Sequence, residues 1–124
     1  MSFFKSIFGS KPNEENSSSL NWSELSELSQ LDTIIEDSKT KTQVIFKHST
    51  RCGISRAVLK QFEKKEIEDT IDLYYLDLLS YRDISNELAS KFQVIHQSPQ
   101  LLVIKNEVVV AHDSHYDLLG VEIS

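Results

Sequence analysis

The sequence predicts an α/β fold in which a central mixed β-sheet is covered by helices on both faces. Three observations point to it: short β-branched and aromatic runs, helical spacing of apolar residues between them, and two apolar runs near the end separated by three polar residues. The length of 124 residues suits one domain with one core. A composition of 40% hydrophobic and 26% charged residues, with 3 Gly and 2 Pro, excludes disordered, fibrous and membrane classes.

The first half of the domain is predicted to contain a helix, a strand and a second helix. The first helix is amphipathic, with Asn21 or Ser23 as its N-cap. Its apolar stripe consists of Leu25, Leu28, Leu31, Ile34 and Ile35. Residues 42–48 are β-branched and aromatic, as in a strand, and helical spacing resumes over residues 55–66.

The second half continues with a strand, a helix and a hairpin. The strand is predicted over residues 71–77, and a capping box of Ser80 and Asp83 starts the next helix. The apolar runs 101–104 and 108–112 predict an antiparallel hairpin. Because helices connect the earlier strands, we expect those strands to be parallel. The order β-α-β-α-β-β is that of the thioredoxin-like fold.

The sequence divides into a flexible N-terminal tail, residues 1–21, and a thioredoxin-like domain, residues 22–124. Residues 11–21 are polar and have almost nothing to bury, so they cannot offset the entropy of ordering. The tail also contains four apolar residues, Phe3, Phe4, Ile7 and Phe8. These could contact a membrane surface or a partner groove, but a disordered leader that caps the domain is the favoured interpretation.

Charge and hydropathy limit the partners and the compartment. A net charge of −6 and a pI of about 5.1 argue against nucleic-acid binding. No apolar run approaches the roughly 20 residues that span a bilayer, and the N-terminus lacks the apolar core of a signal peptide. We therefore expect a cytoplasmic protein without a membrane span. We also expect it to be a monomer.

The single cysteine, Cys52, is the candidate nucleophile. It cannot form an intramolecular disulfide, and no second Cys completes a CxxC pair or a zinc site. It lies in the predicted turn between a strand and a helix, where free N–H groups and the helix dipole favour a thiolate. Residues 38–62 also contain six cations and no carboxylate. This setting favours a reactive thiolate over a small core side chain.

Two further features fit chemistry at one thiol. Ser55 stands three residues after Cys52, where a dithiol oxidoreductase has its second Cys. A hydroxyl can donate a hydrogen bond to a thiolate but cannot attack a mixed disulfide, so this spacing predicts monothiol chemistry. Ser98-Pro99 precedes a strand, and a cis bond there would expose the backbone of Ser98 to an extended substrate.

The four histidines do not form a metal-binding pattern. Only His112 and His115 are closely spaced, and they do not share a helical face or have matching Cys or carboxylate ligands. Surface or packing roles are favoured for them, as for His48 and His96. No metal site is predicted.

Three segments together resemble the YtxJ-type monothiol bacilliredoxin family. They are Lys-His-Ser-Thr-Arg-Cys-Gly-Ile-Ser (47–55), Ser-Pro-Gln (98–100) and His-Asp-Ser-His-Tyr (112–116), and the similarity runs from about Trp22 to Tyr116. The resemblance implies a thioredoxin fold with Cys52 as nucleophile. It also implies that Ser55 holds the resolving position and that Pro99 is a cis-proline.

Four positions around the nucleophile are the candidate substrate-binding residues: Arg51, Gly53, Ser98 and Pro99. Two of them depart from the family pattern. Many members have Pro where this chain has Gly53, and Thr is frequent at the position of Arg51. The nucleophile is intact, but these changes alter the rigidity and charge of its loop.

The resemblance implies a thiol–disulfide oxidoreductase that removes bacillithiol from mixed disulfides on client proteins. Bacillithiol, a low-molecular-weight thiol, would be a co-substrate, with no tightly bound cofactor. Two alternatives remain. One is a monothiol glutaredoxin-like iron–sulfur cluster carrier, because residues 52–55, Cys-Gly-Ile-Ser, differ by one residue from the Cys-Gly-Phe-Ser motif of proteins that carry a [2Fe–2S] cluster. Against it, this sequence lacks the glycine-rich loop with which glutaredoxins bind glutathione. The other is a non-catalytic thioredoxin-like adaptor with an inert Cys52.

Overall fold

Five strands form one mixed sheet in the computed structural model, which describes residues 20–123. The elements are β1 (Trp22–Glu24), α1 (Ser29–Asp37), β2 (Gln43–His48), α2 (Gly53–Phe62), β3 (Asp72–Asp77), α3 (Arg82–Phe92), β4 (Gln100–Lys105), β5 (Val108–Ser114) and a 3₁₀ helix (His115–Gly120). The strand order is β1-β3-β2-β4-β5. Strands β1, β3 and β2 are mutually parallel, whereas β4 and β5 run antiparallel to their neighbours.

The hydrophobic core lies in two layers, one on each face of the sheet. One layer joins α1 and α3 to the sheet through residues such as Ile34, Ile45 and Leu88. The other joins α2 and the 3₁₀ helix to it through residues such as Phe62 and Leu118. Strand β2 is central and every one of its residues is buried, as expected of a strand covered on both faces. The predicted α/β thioredoxin-like architecture is confirmed.

The first helix begins later than the sequence pattern predicts. Residues Trp22–Glu24 form an edge strand parallel to β3, and α1 begins only at Ser29. The centroid of the Trp22 ring lies 6.0 Å from that of Phe46 and 5.9 Å from that of Phe62. Its Nε1 donates a hydrogen bond to the Glu63 carboxylate. These tertiary contacts hold the segment extended although the leucine spacing favours a helix.

The start of α3 also differs from the prediction. The N-cap residue is Tyr81 and no side chain caps this helix, so the predicted capping box does not form. The Ser80 hydroxyl instead donates to Asp77 at 3.0 Å. The predicted parallel pairing of the two inner strands and the predicted hairpin are both confirmed. Its two-residue turn, Asn106 and Glu107, has positive φ at both positions, as tight antiparallel hairpins require.

Residues 1–19, which carry the four apolar residues of the predicted tail, lie outside the described part of the chain. Leu20 is buried against the α2 layer. The boundary at residue 21 stays a prediction. Among the described residues, no helix is long and apolar enough to cross a membrane.

Candidate thiol site

The candidate site lies at the end of the sheet where β2 and β3 finish and β4 begins. Cys52 is the N-cap residue of α2, with an extended backbone (φ −104°, ψ 123°), and it is partly exposed. Its carbonyl accepts the first helical hydrogen bond, from the Arg56 amide at 3.0 Å. The thiol therefore stands beside the free N–H groups at the positive end of the helix dipole, as predicted from the strand-to-helix pattern.

Ser55 is fully buried beneath the first turn of α2. Its hydroxyl oxygen lies 2.7 Å from His48 Nδ1 and accepts a hydrogen bond from the Ser49 amide at 3.1 Å. A surface or packing role was expected for His48, yet its side chain is 3% exposed and contacts Ser55 at the resolving position. Side chains alternate between the two faces of a strand, so His48 lies on the same face as Phe46, towards α2. This alternation could have predicted that His48 lies near the start of α2.

The Ser98–Pro99 peptide bond is cis. Strand β4 begins at Gln100, which pairs with Lys47, so this bond enters the sheet at the end where the Cys52 loop leaves it. The Pro99 carbonyl accepts a hydrogen bond from the His115 amide at 2.9 Å. The Ser98 hydroxyl is buried and has no hydrogen-bond partner among the described residues. The structure thus brings Ser98 and Pro99 to the same end of the sheet as the thiol loop.

The positive charges of residues 38–62 are less concentrated around the thiol than the sequence suggested. Lys39 and Lys41 pair with carboxylates before β2 starts, about 20 Å of strand away from the Cys52 end. Arg51 and Arg56 remain near the thiol, both exposed, and Arg56 donates to the Thr50 carbonyl at 3.2 Å. Arg51 and Arg56 are thus the exposed cations of this segment that stand within four residues of Cys52.

Gly53, the first residue of α2, is exposed, and a Cβ placed on it would meet no atom within 4 Å beyond its chain neighbours and the backbone of its own helix. Sterics therefore do not require glycine here. His112 and His115 are also exposed. Within residues 20–123, no three His, Cys, Asp or Glu side chains lie close enough together to hold a metal ion.

Lys47 is a buried cation on the opposite face of β2. Its side chain is 0% exposed, and its Nζ lies 3.0 Å from His96 Nδ1, which also lies 3.4 Å from the Ser85 hydroxyl. Burial lowers the pKa of Lys47 to about 8. Burial, followed by the charges of Lys47 and Arg82, lowers the pKa of His96. At neutral pH the ammonium donates to a neutral imidazole, and no carboxylate in the described part of the chain pairs with it.

We expect Lys47→Met to raise the free energy of unfolding at neutral pH by about 1–3 kcal/mol, because an apolar side chain avoids burying a charge. The folded pKa of Lys47, about 8, lies below the ordinary lysine value of about 10.4, so the unfolded state binds more protons between these values. Wild-type stability therefore rises over that range, and the advantage of the variant shrinks.

Urea unfolding at neutral pH and near pH 9.5 measures this difference. Lys91→Met is the matched control, because Lys91 is exposed on α3 and its replacement removes no buried charge. A Lys47→Met protein that is less stable at neutral pH, or whose advantage is equal at both pH values, would contradict the prediction.

The fold, with the lone thiol at the start of α2 and a cis-proline segment at the same end of the sheet, defines a thiol oxidoreductase of the thioredoxin fold. The family model for the monothiol bacilliredoxin BrxC matches residues 23–123. The chain therefore belongs to the monothiol bacilliredoxin BrxC family.

Solved structures show the same thioredoxin fold. One, described as an oxidoreductase with a thioredoxin fold, is 35% identical, with a TM-score of 0.69 over 78% of this chain and 85% of that chain. Thioredoxin from Schistosoma mansoni is 22% identical, with a TM-score of 0.63 over 80% of this chain and 87% of that chain. Thioredoxin from Trypanosoma brucei brucei is 20% identical, with a TM-score of 0.62 over 81% of this chain and 82% of that chain. The two thioredoxins show a likeness of fold alone.

Proposed function

We propose that this protein removes bacillithiol from mixed disulfides on client proteins and takes it onto Cys52. The observation that carries the proposal is a single partly exposed thiol at the N-cap of α2, with a buried serine at the resolving position. Membership of the monothiol bacilliredoxin family supports bacillithiol as the group transferred. Ser55 cannot displace that group, so the reaction would stop at an adduct on Cys52.

The proposed transfer conserves the number of disulfide bonds. The Cys52 thiolate attacks the bacillithiol sulfur of the mixed disulfide, and the client sulfur leaves as a thiolate that takes up a proton. One S–S bond breaks and one forms, with no net oxidation. A second, external thiol would then attack the adduct and regenerate Cys52. Bacillithiol is thus a co-substrate, and the proposal requires no tightly bound cofactor.

The proposed roles of the surrounding residues follow from their placement. The free N–H groups of α2 would stabilise the attacking thiolate and the leaving sulfur. The backbone of Ser98, before the cis bond to Pro99, would pair with an extended client segment. Arg51 would attract anionic groups of the substrate, and the exposed Gly53 would leave room for them. We propose that the protein acts as a monomer in a reducing cytoplasm, where such exchange can be repeated.

The test uses a client protein that carries one bacillithiol adduct, mixed with the reduced protein and followed by intact-protein mass spectrometry. We expect the client to lose the adduct and Cys52 to gain it, one for one. The same client carrying a glutathione adduct is the matched control and should react more slowly. A client that keeps its adduct would refute the transfer, and equal rates for the two adducts would refute the choice of bacillithiol.

A further inference from the structure

The buried ammonium of Lys47 has no role in the transfer described so far. Side chains alternate along β2, so Lys47 faces the layer of α1 and α3 with Ile45, while Phe46 faces α2. Within residues 20–123, no carboxylate pairs with this ammonium. A buried charge without an opposite charge lowers the stability of a fold, whereas an apolar side chain at the same place would not. Since natural proteins retain destabilising groups where function needs them, Lys47 is a candidate for such a group.

The ammonium of Lys47 holds the segment that leads into β4. Its Nζ lies 3.0 Å from Nδ1 of His96, which stands two residues before Ser98. An ammonium has protons to donate and no lone pair, so Nδ1 accepts and the neutral ring of His96 carries its own proton on Nε2. The Ser85 hydroxyl lies farther from the same nitrogen, at 3.4 Å. Lys47 is therefore the nearer partner of this ring, and the one whose hydrogen bond is strengthened by charge.

The rest of this segment is tied down on either side of His96. The Ile95 carbonyl accepts a side-chain hydrogen bond at 3.0 Å, and the Pro99 carbonyl accepts a backbone one at 2.9 Å. Within the described residues, neither the backbone nor the hydroxyl of Ser98 has a hydrogen-bond partner. Between Ile95 and Pro99, the contacts of His96 are therefore the ones that fix the chain.

We propose that Lys47 is a positioning residue, which holds Ser98 in place for an extended client segment through its hydrogen bond to His96. Two residues span at most about 7 Å of chain, so a tie at His96 restricts the positions open to Ser98. A backbone that is already ordered loses less conformational entropy when a partner pairs with it. The inference rests on the proposed pairing of clients with the Ser98 backbone, but not on bacillithiol as the transferred group.

The test compares a peptide disulfide with a small disulfide that has no backbone to pair. The peptide is extended and carries thionitrobenzoate on its one cysteine, and the small reagent is the symmetric disulfide of thionitrobenzoate. In both reactions the Cys52 thiolate attacks one sulfur, one S–S bond breaks and one forms, and thionitrobenzoate leaves as a coloured thiolate. Its absorbance at neutral pH gives the second-order rate constant for each reagent.

Lys47→Met should lower the rate constant for the peptide about tenfold, because the freed residues must be ordered again when the peptide binds. The rate constant for the small disulfide should change by less than about twofold, since Lys47 faces α3 and not α2, where Cys52 is the N-cap. Lys91→Met removes an exposed charge from α3 and should leave both rate constants unchanged. Urea unfolding of the same samples shows that each variant is folded.

A second variant breaks the same hydrogen bond from its other end. His96→Leu removes the acceptor, so it should also lower the rate constant for the peptide about tenfold. It leaves the ammonium buried without this partner, so the protein can lose stability. The double variant Lys47→Met/His96→Leu avoids that effect. Its loss should match that of Lys47→Met alone to within about twofold, because both changes remove one interaction.

A folded Lys47→Met protein that keeps the wild-type rate constant with the peptide would overturn the inference. Equal losses with the two disulfides would also overturn it, because they would mean a general change at the thiol. A further tenfold loss in the double variant would show that the two side chains act separately. The reagents contain no bacillithiol, so a negative result here leaves the client assay intact, and failure of bacillithiol transfer leaves the peptide comparison intact.

Discussion

Cys52→Ala should abolish thiol transfer completely. The chain of 124 residues contains one Cys, so no other side chain can form a mixed disulfide with a low-molecular-weight thiol. The Cys52 side chain caps no backbone group of α2, so its loss should change the free energy of unfolding by less than about 1 kcal/mol. Mass spectrometry after treatment with oxidised bacillithiol should show one adduct on the wild type and none on the variant.

Ser55→Ala is the control for this experiment. The Ser55 hydroxyl forms hydrogen bonds with His48 and Ser49 but no bond to the transferred sulfur. This variant should therefore still accept one adduct and still remove it from a client. Measurable transfer by Cys52→Ala would show that the reaction does not pass through a thiol of this chain, and a Ser55→Ala protein as inactive as Cys52→Ala would give the hydroxyl a larger role than the structure supports.

The position of the thiol could be predicted because it depends on local pattern. A β-branched run followed by helical spacing puts Cys52 at a helix start, and this prediction needs no contacts between distant segments. The cis bond before Pro99, by contrast, was implied by the resemblance to the family, because an X-Pro pair alone is more often trans. The same local reasoning failed at Trp22, where aromatic packing across the sheet holds an edge strand that leucine spacing alone cannot indicate.

The surroundings of the thiol could not be predicted so well, because they depend on tertiary contacts. The bond between His48 and Ser55 joins the end of a strand to the following helix, and the pair Lys47 and His96 is 49 residues apart in sequence. Counting the charges in a stretch of sequence also does not show at which end of a strand each charge lies. Lys41 belongs to the same basic segment as Arg51 but lies at the other end of β2, paired with a carboxylate.

Ser55→Cys should convert the protein from monothiol to dithiol chemistry. After Cys52 takes up bacillithiol, the introduced thiolate can attack the Cys52 sulfur, form an intramolecular disulfide and release bacillithiol as a free thiol. Residue 55 is the third residue of α2 and stands three positions after the N-cap Cys52, the spacing at which a dithiol oxidoreductase has its second Cys. We therefore expect the adduct to become transient.

Mass spectrometry of Ser55→Cys after reaction with a bacillithiolated client should show a protein lighter by two hydrogens, with free bacillithiol in solution, where the wild type keeps a stable adduct. The matched control is Ser85→Cys. Ser85 is equally buried, but it lies on α3, which covers the opposite face of the sheet from α2. The introduced thiol there cannot reach Cys52, so the adduct should persist as in the wild type. A persistent adduct on Ser55→Cys as well would mean that residue 55 does not occupy the resolving position.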